Sequence, residues 1–406
     1  DGGIDYFLDP DDYTKKADGT DSDVANIDYA GDAMAIVKKI YKKEYKVGND
    51  RYVYFCERKV DDDFHAVGFN VLGKERDYML TPMFYGSIDS NGKMRSIAGQ
   101  WSCLSASGSA ADNANGKAIG TAEQYTAIQA ASDKALFFGG ALTNTLADIC
   151  ILLSKSTDSQ TAFGSGMCST YVEDKAQHYG TKINTVIGGG QFYGSNDNKS
   201  FNKIFHSCVM GSYMLWQRDP YMLLINGRIK VSPDYTYDLT GAKYLDTGVN
   251  LAENGYYATT QVVKDFGAVP NDEIACSSAT GYCDHTWVNA AITAVSLRFG
   301  NCDCGVRAGF WARTLRDAAA IAWWHYGASK LLPAPAVRRV RSTAAASPHR
   351  RCHRIPRCRG CASYQIPFQH DQAHKRRHDE AGVQVAFCEF QHAQTGTAFA
   401  AAIAAG

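Results

Sequence analysis

Regularly spaced apolar side chains predict two helices in the first half of the chain. In residues 139–154, four of them follow one another at spacings of four, three and four, which places them on one helical face: Leu142, Leu146, Ile149 and Leu153. Residues 121–131 open with Thr-Ala-Glu, a favourable helix start. After the longer helix, the stretch QTAFGSG predicts a Gly-rich turn.

Most other regions predict short strands. In YKKEYKVGNDRYVYFCERKV, a VGND turn separates two alternating segments, which predicts a β-hairpin. Within residues 291–332, Val295 and Leu297 alternate with polar neighbours, as expected of a half-buried strand. Strands and helices do not alternate along the chain as in a parallel sheet. We therefore predict an α+β fold, in which two helices accompany short, twisted antiparallel strands and many loops.

Composition divides the chain into four parts. Residues 1–32 are acidic and rich in Gly and Asp, which predicts a flexible arm. Residues 33–115 are rich in predicted strands, and residues 116–336 contain the two helices and the last strands. We expect a small β-rich region followed by the main domain. The fourth part, residues 337–406, is a basic tail rich in Arg, His and Ala.

The tail differs sharply from the body in charge. Residues 337–406 hold 11 Lys and Arg against 4 Asp and Glu, a net charge of +7, whereas residues 1–336 hold 31 against 38, a net charge of −7. The tail uses 10 Arg and 1 Lys, whereas an arm that binds nucleic acid usually uses Lys freely. We therefore interpret the tail as disordered or as the product of a shifted reading frame, and we expect no nucleic-acid partner.

The apolar runs bear on membrane insertion, and the cysteines indicate the redox compartment in which the chain is made. No run of about 18 apolar residues occurs, so we expect no insertion into a membrane. The 13 cysteines are scattered, without the even spacing of a small disulfide scaffold. We expect most of them to be core residues of a protein made in a reducing cytoplasm.

A block rich in aromatic residues and Arg precedes the tail. Trp, Tyr and Arg dominate binding hot spots, because they supply a large contact area and directional donors. We therefore predict a recognition surface within residues 298–332, with nine candidate ligand-binding residues: Arg307, Phe310, Arg313, Arg316, Asp317, Trp323, Trp324, His325 and Tyr326. The alternative is that Trp311 and either Trp323 or Trp324 fill the core, since adjacent residues on a strand point to opposite faces.

Five stretches, in a common order and spanning roughly residues 36–332, resemble a known family of proteins. They are DDDFHAVGFNVLGKERDYMLTPMFYGSI with the following MRSIAG, LADICILLSKSTDSQTAFGSG, IFHSCVMGSYMLWQRDPYMLLINGRIKV, SSATGYCDHTWVN, and AVSLRFGNCDCGVRAGFWARTLRDAAAIAWWHYGASKLL. The last is the most specific, because strands of the forms RxG, GxRAGF and GASxLL recur together in that family. The chain departs from the family at Phe299, where a Gly is common, and at residues 209–211.

The family is that of phage tail and virion structural proteins with a C-terminal C-type-lectin-like domain, which includes relatives of the variable proteins of diversity-generating retroelements. The resemblance implies a non-enzymatic protein on the virion surface that binds a host receptor, either a glycan or a protein. It also implies contact with other virion proteins and a homo-oligomer. In the retroelement relatives the diversified region corresponds to residues 298–332. The alternative is a purely structural decoration or assembly protein of the virion.

Enzymatic interpretations have weaker support. Formylglycine-generating enzymes share the lectin-like scaffold and use paired cysteines, so Cys302 and Cys304 offer an alternative, although a shared fold does not imply a shared function. Asp284 and His285 are adjacent in CDHTW without a nucleophile motif, which predicts a surface or capping role.

Metal and phosphate sites also lack the expected patterns. The acidic clusters at residues 9–12 and 61–63 could bind Ca²⁺, but they lack the spaced ligands and the distal Glu of a calcium loop. We therefore predict solvated turns there and no cofactor, with Ca²⁺ as the alternative. The tail holds Cys352, Cys358 and Cys361 together with His349 and His353, but the C-x5-C-x2-C spacing of the cysteines matches no common zinc site. The Gly-rich stretch VIGGGQFYG has no Walker Lys.

Overall fold

The structure is a computed structural model that describes residues 3–48, 50–100, 119–169, 188, 190–198, 200–252, 254–273, 276–323, 325–335, 361–365, 383–388 and 399–404. Within these ranges the fold is mixed α+β, with three α-helices, many short strands and a sheet that curls into a half-barrel. The predicted α+β class is confirmed. No helix in the described ranges is both long enough and apolar enough to cross a membrane.

Short strands build the N-terminal region. The predicted hairpin is confirmed, because its two strands pair antiparallel from Tyr41 and Cys56 to Val47 and Asp50. The strands of this region are β1 (Ile4–Phe7), β2 (Asp32–Lys38), β3 (Tyr41–Val47), β4 (Asp50–Cys56), β5 (Asn70–Val71), β6 (Lys74–Glu75), β7 (Tyr78–Pro82), β8 (Ser87–Ile88) and β9 (Met94–Arg95).

Helices follow in the order predicted. Helices α1 (Thr121–Ala131) and α2 (Gly140–Ser154) confirm the two predicted helices to within one residue. A third helix, α3 (Ser159–Phe163), lies where a turn is predicted. It begins there because the side chain of Asp158 accepts the backbone N–H groups of Gln160 and Thr161, which caps the helix.

The longer helix is buried more completely than one apolar face requires. Leu142, Leu146 and Ile149 are buried, but so are the polar residues between them. Leu153, the fourth residue of the predicted face, is 54% exposed. The first three turns of the helix therefore lie in the core, and its last turn lies at the surface.

The eight-stranded sheet is built around one long central strand. The strands from the helices to the end of the body are β10 (Leu136–Phe137), β11 (Trp216–Ile225), β12 (Arg228–Val231), β13 (Leu245–Asn250), β14 (Asn254–Tyr256), β15 (Thr260–Val263), β16 (Gly267–Pro270), β17 (Thr286–Val288), β18 (Thr293–Arg298), β19 (Arg313–Leu315), β20 (Tyr326–Gly327) and β21 (Lys330–Pro333). The central strand is β11, which pairs antiparallel with β18. Strand β19 pairs antiparallel with β18, and β17 pairs parallel with β19. The short β20 pairs parallel with the start of β11.

A second large sheet joins the two ends of the body. Strand β21 pairs with β10 on one side and with β7 on the other, and β7 pairs with β2. One sheet therefore draws strands from both sides of residue 115, where the sequence predicts a domain boundary.

Three strand segments come from residues 337–406: β22 (Cys361–Gln365), β23 (Val383–Cys388) and β24 (Phe399–Ala404). Strand β24 lies between β1 and β2, and β23 pairs parallel with β4. The other residues of the tail lie outside the described ranges, so a disordered tail stays a prediction. The shifted reading frame stays a prediction, because strand pairing carries no information about it.

The N-terminal segment is packed against the body, in contrast to the flexible arm that its composition predicts. Leu8, Tyr13 and Val24 are buried in the main core. The hydroxyl of Tyr13 donates to the carbonyl of Gly190 at 2.8 Å and lies 2.6 Å from Nδ1 of His206. Burial of these three residues and the hydrogen bonds of Tyr13 thus hold an otherwise polar segment against the body.

Candidate functional site

An open cleft of about 740 Å³ lies beside the start of β11, where β20 pairs with it, and side chains of β17 and β19 also line it. Its lining combines aromatic, amide and charged side chains from strands and from the loops that follow them. The lining residues are Trp216, Trp287, Asn289, Asn301, Asp303, Cys304, Arg307, Thr314, Arg316, Asp317, Trp323, His325 and Tyr326.

The alternation of side chains along the strands selects which residues reach the cleft. In β19, Thr314 lines the cleft, whereas its neighbour Arg313 is fully buried among polar core residues. In the adjacent strand β17, Trp287 lines the cleft between two buried residues. Trp287 and Thr314 are register partners, so they lie side by side on the same face of the sheet.

Aromatic rings form much of the cleft wall. Trp216 packs edge to face against Trp287, with ring centroids 5.5 Å apart. Trp323 and His325 lie nearly parallel at 6.4 Å, and Tyr326 meets His325 edge to face at 4.7 Å. The edge-to-face contacts fix the orientation of the inner rings. Trp323 is 47% exposed, so its ring is available to a ligand.

Two arginines supply positive charge to the cleft. Arg307 and Arg316 are both exposed, and neither forms an ion pair with a carboxylate in the described part of the chain. Nε of Arg307 donates to the carbonyl of Cys304 at 3.3 Å, and its guanidinium lies 5.3 Å from the ring centroid of Trp287. The terminal N–H groups of Arg307 are therefore oriented and open to a partner.

The two acidic residues of the cleft, Asp303 and Asp317, differ in their hydrogen bonds and exposure. Asp317 accepts a hydrogen bond from the hydroxyl of Tyr326 at 2.7 Å, so one of its oxygens is already engaged. Burial, followed by the hydrogen bond and charge of Asp317, raises the pKa of Tyr326 above its ordinary value. Asp303 is exposed at the rim. Both carboxylates can accept hydrogen bonds from hydroxyl groups of a ligand.

The histidines at the cleft are neutral near pH 7. Burial lowers the pKa of His325 to about 4. Burial and the nearby charge of Arg307 lower the pKa of His285, which packs against Trp287 at 4.3 Å, to about 4. The positive charge of the cleft therefore comes from its arginines.

A buried ionic cluster supports the other face of the sheet. Arg298 and Arg313 share the carboxylate of Asp219, with N···O distances of 3.5 Å in both cases. Asp219 also accepts the backbone N–H of Gly140 at 2.8 Å, and Arg313 donates to Asn144 at 2.9 Å. The cluster ties β11, β18 and β19 to the first turns of α2.

Six of the nine predicted ligand-binding residues line the cleft: Arg307, Arg316, Asp317, Trp323, His325 and Tyr326. Phe310 and Arg313 do not reach it. Phe310 is buried in the core and packs against Phe163, with ring centroids 5.6 Å apart. Trp324 lies outside the described residues. Trp311 is buried, as the core-filling alternative predicts.

The sequence prediction missed three lining residues from other parts of the chain and four from the same block: Trp216, Trp287 and Asn289, and Asn301, Asp303, Cys304 and Thr314. Trp287 carried a usable signal, because it alternates with Thr286 and Val288 in a strand-like segment. Trp216 carried none, because its place in the cleft depends on the pairing of β11 with β20.

The paired cysteines are held as thiols. Cys302 is fully buried, and Cys304 lines the cleft with little exposure. Burial raises the pKa of Cys304 to about 12 and that of Cys302 still further above its ordinary value. A nucleophilic cysteine acts as a thiolate. These two residues therefore give no support to the enzymatic alternative.

Of the two roles predicted for Asp284, at the surface or as a cap of backbone N–H groups, the structure shows the second. Its carboxylate accepts the backbone N–H of Trp311 at 2.8 Å and is buried rather than at the surface. It packs against Gly309 so closely that a Cβ there would lie 1.8 Å from Oδ1. Burial raises the pKa of Asp284 well above its ordinary value.

Metal-ligating residues do not gather in the described ranges, where no group of three or more His, Cys, Asp or Glu side chains could hold an ion. In the first acidic cluster, Asp9 instead accepts the backbone N–H groups of Asp11 and Asp12. Several tail residues considered for zinc lie outside the described residues: His349, Cys352, His353 and Cys358.

A scan against known protein families finds no match to the chain, and a search of curated proteins finds no significant similarity.

Proposed function

We propose that the protein is a non-enzymatic surface protein of a bacteriophage particle that binds a receptor on the host cell, either a glycan or a protein. The observation that carries the proposal is the cleft, which places the exposed ring of Trp323 near two arginines, Arg307 and Arg316, that lack a carboxylate partner in the described chain. Aromatic rings and arginines of this kind dominate recognition sites.

We propose a C-type-lectin-like domain as the scaffold of this cleft. Two long helices, short and mostly antiparallel strands, and loops that supply the cleft wall support this assignment. The stretch that most specifically resembles phage tail proteins, residues 294–332, also contributes ten of the thirteen lining residues. The resemblance and the geometry therefore point to the same part of the chain.

The shape of the cleft favours recognition over pure decoration. Ligand sites are typically concave, with volumes of about 300–1,000 Å³, lined by aromatic side chains and a few polar groups. A cleft of about 740 Å³ lies within this range. A surface that served packing alone would gain free energy by filling such a concavity rather than leaving its rings in contact with water.

Substitution of the open end of the cleft tests the proposal. The double variant Trp323→Ala/His325→Ala should keep the wild-type fold and lose adsorption to host cells by at least about tenfold, because the aromatic contact area is removed. The matched control is Tyr193→Ala, since Tyr193 has the same 47% exposure as Trp323 and lies outside the cleft lining.

Adsorption is measured by competition, in which purified protein blocks infection of the host by phage particles. The control should compete like the wild type. Unchanged competition by the double variant, with its fold verified by circular dichroism, would refute receptor binding through this cleft and favour a decoration or assembly role.

A further inference from the structure

We infer that the receptor group bound in the cleft is an acidic saccharide, with its carboxylate held by Arg307 and its sugar ring placed against the aromatic wall. This inference rests on the proposed binding function and specifies its ligand. It follows from three features of the cleft: an anchored guanidinium, two arginines without an ion-pair partner in the described chain, and a wall of ring, amide and hydroxyl groups.

Arg307 has the geometry of a carboxylate receptor. Its Nε is used on the carbonyl of Cys304, and its guanidinium plane is held near Trp287. The two terminal nitrogens make no hydrogen bond within the described chain. A guanidinium fixed in this way presents two parallel N–H groups, which match the two oxygens of a carboxylate. Because the side chain is already ordered, less conformational entropy is lost on binding.

Among the described residues, the arginines of the cleft are not neutralised by ion pairs. Arg307 and Arg316 have no carboxylate within ion-pair distance in the described ranges. Both histidines near the arginines are neutral at pH 7. The cleft therefore offers the oriented guanidinium of Arg307 to an anionic group, while the carboxylates of Asp303 and Asp317 can accept hydrogen bonds from hydroxyl groups of the same ligand.

The remaining lining fits a sugar better than a simple ion. The rings of Trp323 and His325 offer flat surfaces against which the C–H face of a sugar can pack. Asn289, Asn301 and Thr314 place neutral donors and acceptors on the same wall, where hydroxyl groups would find partners. A small inorganic anion would leave this surface and most of the cleft volume unused.

A pair of saccharides that differ in charge alone provides the test. The probes are trigalacturonate and its trimethyl ester, titrated calorimetrically into the full chain. We expect the acid to bind about 10- to 100-fold more tightly than the ester, as is typical of a charge-assisted hydrogen bond. In Arg307→Gln, this difference should disappear while the ester still binds as it does to the wild type.

Two controls isolate the role of the arginine. Arg228→Gln removes a half-exposed arginine that pairs with Asp246 at 2.7 Å and lies outside the cleft lining, so the preference for the acid should remain. Inorganic phosphate at the concentration of the acid should not displace it, because phosphate lacks the ring contacts.

Failure of the inference differs from failure of the proposed function. Equal affinity for acid and ester, or no measurable binding of either, would overturn the acidic-saccharide inference. In both cases the cleft would remain the proposed receptor site as long as Trp323→Ala/His325→Ala loses adsorption. Displacement by phosphate would also overturn the inference, because the cleft would then recognise an anion without its sugar.

Discussion

Two pairs of arginines lie within 19 residues of each other in the sequence and have opposite environments in the fold. Arg298 and Arg313 are buried and share the carboxylate of Asp219. Arg307 and Arg316 are exposed and have no carboxylate partner in the described chain. The same residue type therefore serves the scaffold or the cleft according to strand alternation and the position of one acidic residue.

The energetic consequence follows from solvation. A guanidinium removed from water needs a carboxylate and further hydrogen bonds, and removal of one partner leaves an uncompensated buried charge. A guanidinium at the surface keeps its hydration and gains little from a pair. The buried pair is therefore expected to determine stability, and the exposed pair binding.

The largest expected effect is on stability. Asp219→Asn should lower the free energy of unfolding by about 3–5 kcal/mol, because two buried guanidinium groups lose their shared carboxylate. Asp317→Asn, in the cleft, should change it by less than about 1 kcal/mol, since the amide oxygen still accepts from Tyr326. Urea unfolding of both variants measures the contrast. Equal losses in the two variants would contradict the division between scaffold and cleft.

Low pH should destabilise the fold through a second buried ionic cluster. Asp148 is fully buried and pairs with Lys42 and Arg51 at 2.6 Å. Burial opposes ionisation of Asp148, but the charges of Arg51 and Lys42 hold its pKa below the ordinary value. Its contribution to stability is therefore present above about pH 4, the pKa of an unfolded Asp, and is lost as the pH falls through the lower folded pKa.

Stability measured against pH tests this cluster. Asp148→Asn should be less stable than the wild type at pH 7 and should lose less stability between about pH 4 and pH 2. Tyr193→Ala, which removes no carboxylate, serves as the control and should follow the wild-type acid limb. A variant limb as steep as that of the wild type would show that other carboxylates govern acid unfolding.

A smaller effect, on ligand affinity, is expected when the ring of Trp287 beside Arg307 is removed. Trp287→Leu removes the ring beside the guanidinium of Arg307, so affinity for trigalacturonate should fall about three- to tenfold. Trp287→Phe keeps a ring there and should recover part of the loss. Calorimetric titration measures both. Identical affinities of the Leu and Phe variants would mean that the ring does not orient Arg307.

The smallest expected effect is on the pH dependence of binding. His325 and His285 have pKa values lowered to about 4, so neither changes charge between about pH 5.5 and 8. A sugar carboxylate also stays ionised there. Affinity for trigalacturonate should therefore vary by less than about twofold across this range. A progressive loss from pH 5.5 to 7.5 would instead show that a protonated histidine holds the ligand.

Local patterns predicted the elements that depend on neighbouring residues. The spacing of leucines in α2 and the VGND turn between β3 and β4 were sufficient, because helices and hairpins form from contacts close in sequence. The same reasoning failed for the N-terminal segment. Tyr13 is held by partners 177 and 193 residues away, and composition contains no information on such contacts.

The candidate site was likewise predicted only in part from local sequence patterns. The block of Arg and aromatic residues before residue 332 predicted the region, and six of its nine candidates line the cleft. It did not separate Arg313 from Arg316, because both are Arg in one short stretch. That separation depends on strand β19 placing Arg313 toward Asp219 and ending before Arg316.

By itself, therefore, the sequence determined the α+β class, the two long helices, one hairpin and the region of the cleft, since each depends on periodicity or composition along a short segment. Tertiary structure alone decided which arginines are buried, that Trp216 and Trp287 join the cleft, and that one sheet joins both sides of residue 115. The physical reason is that burial and charge pairing are set by partners distant in the chain, which meet once the sheets have formed.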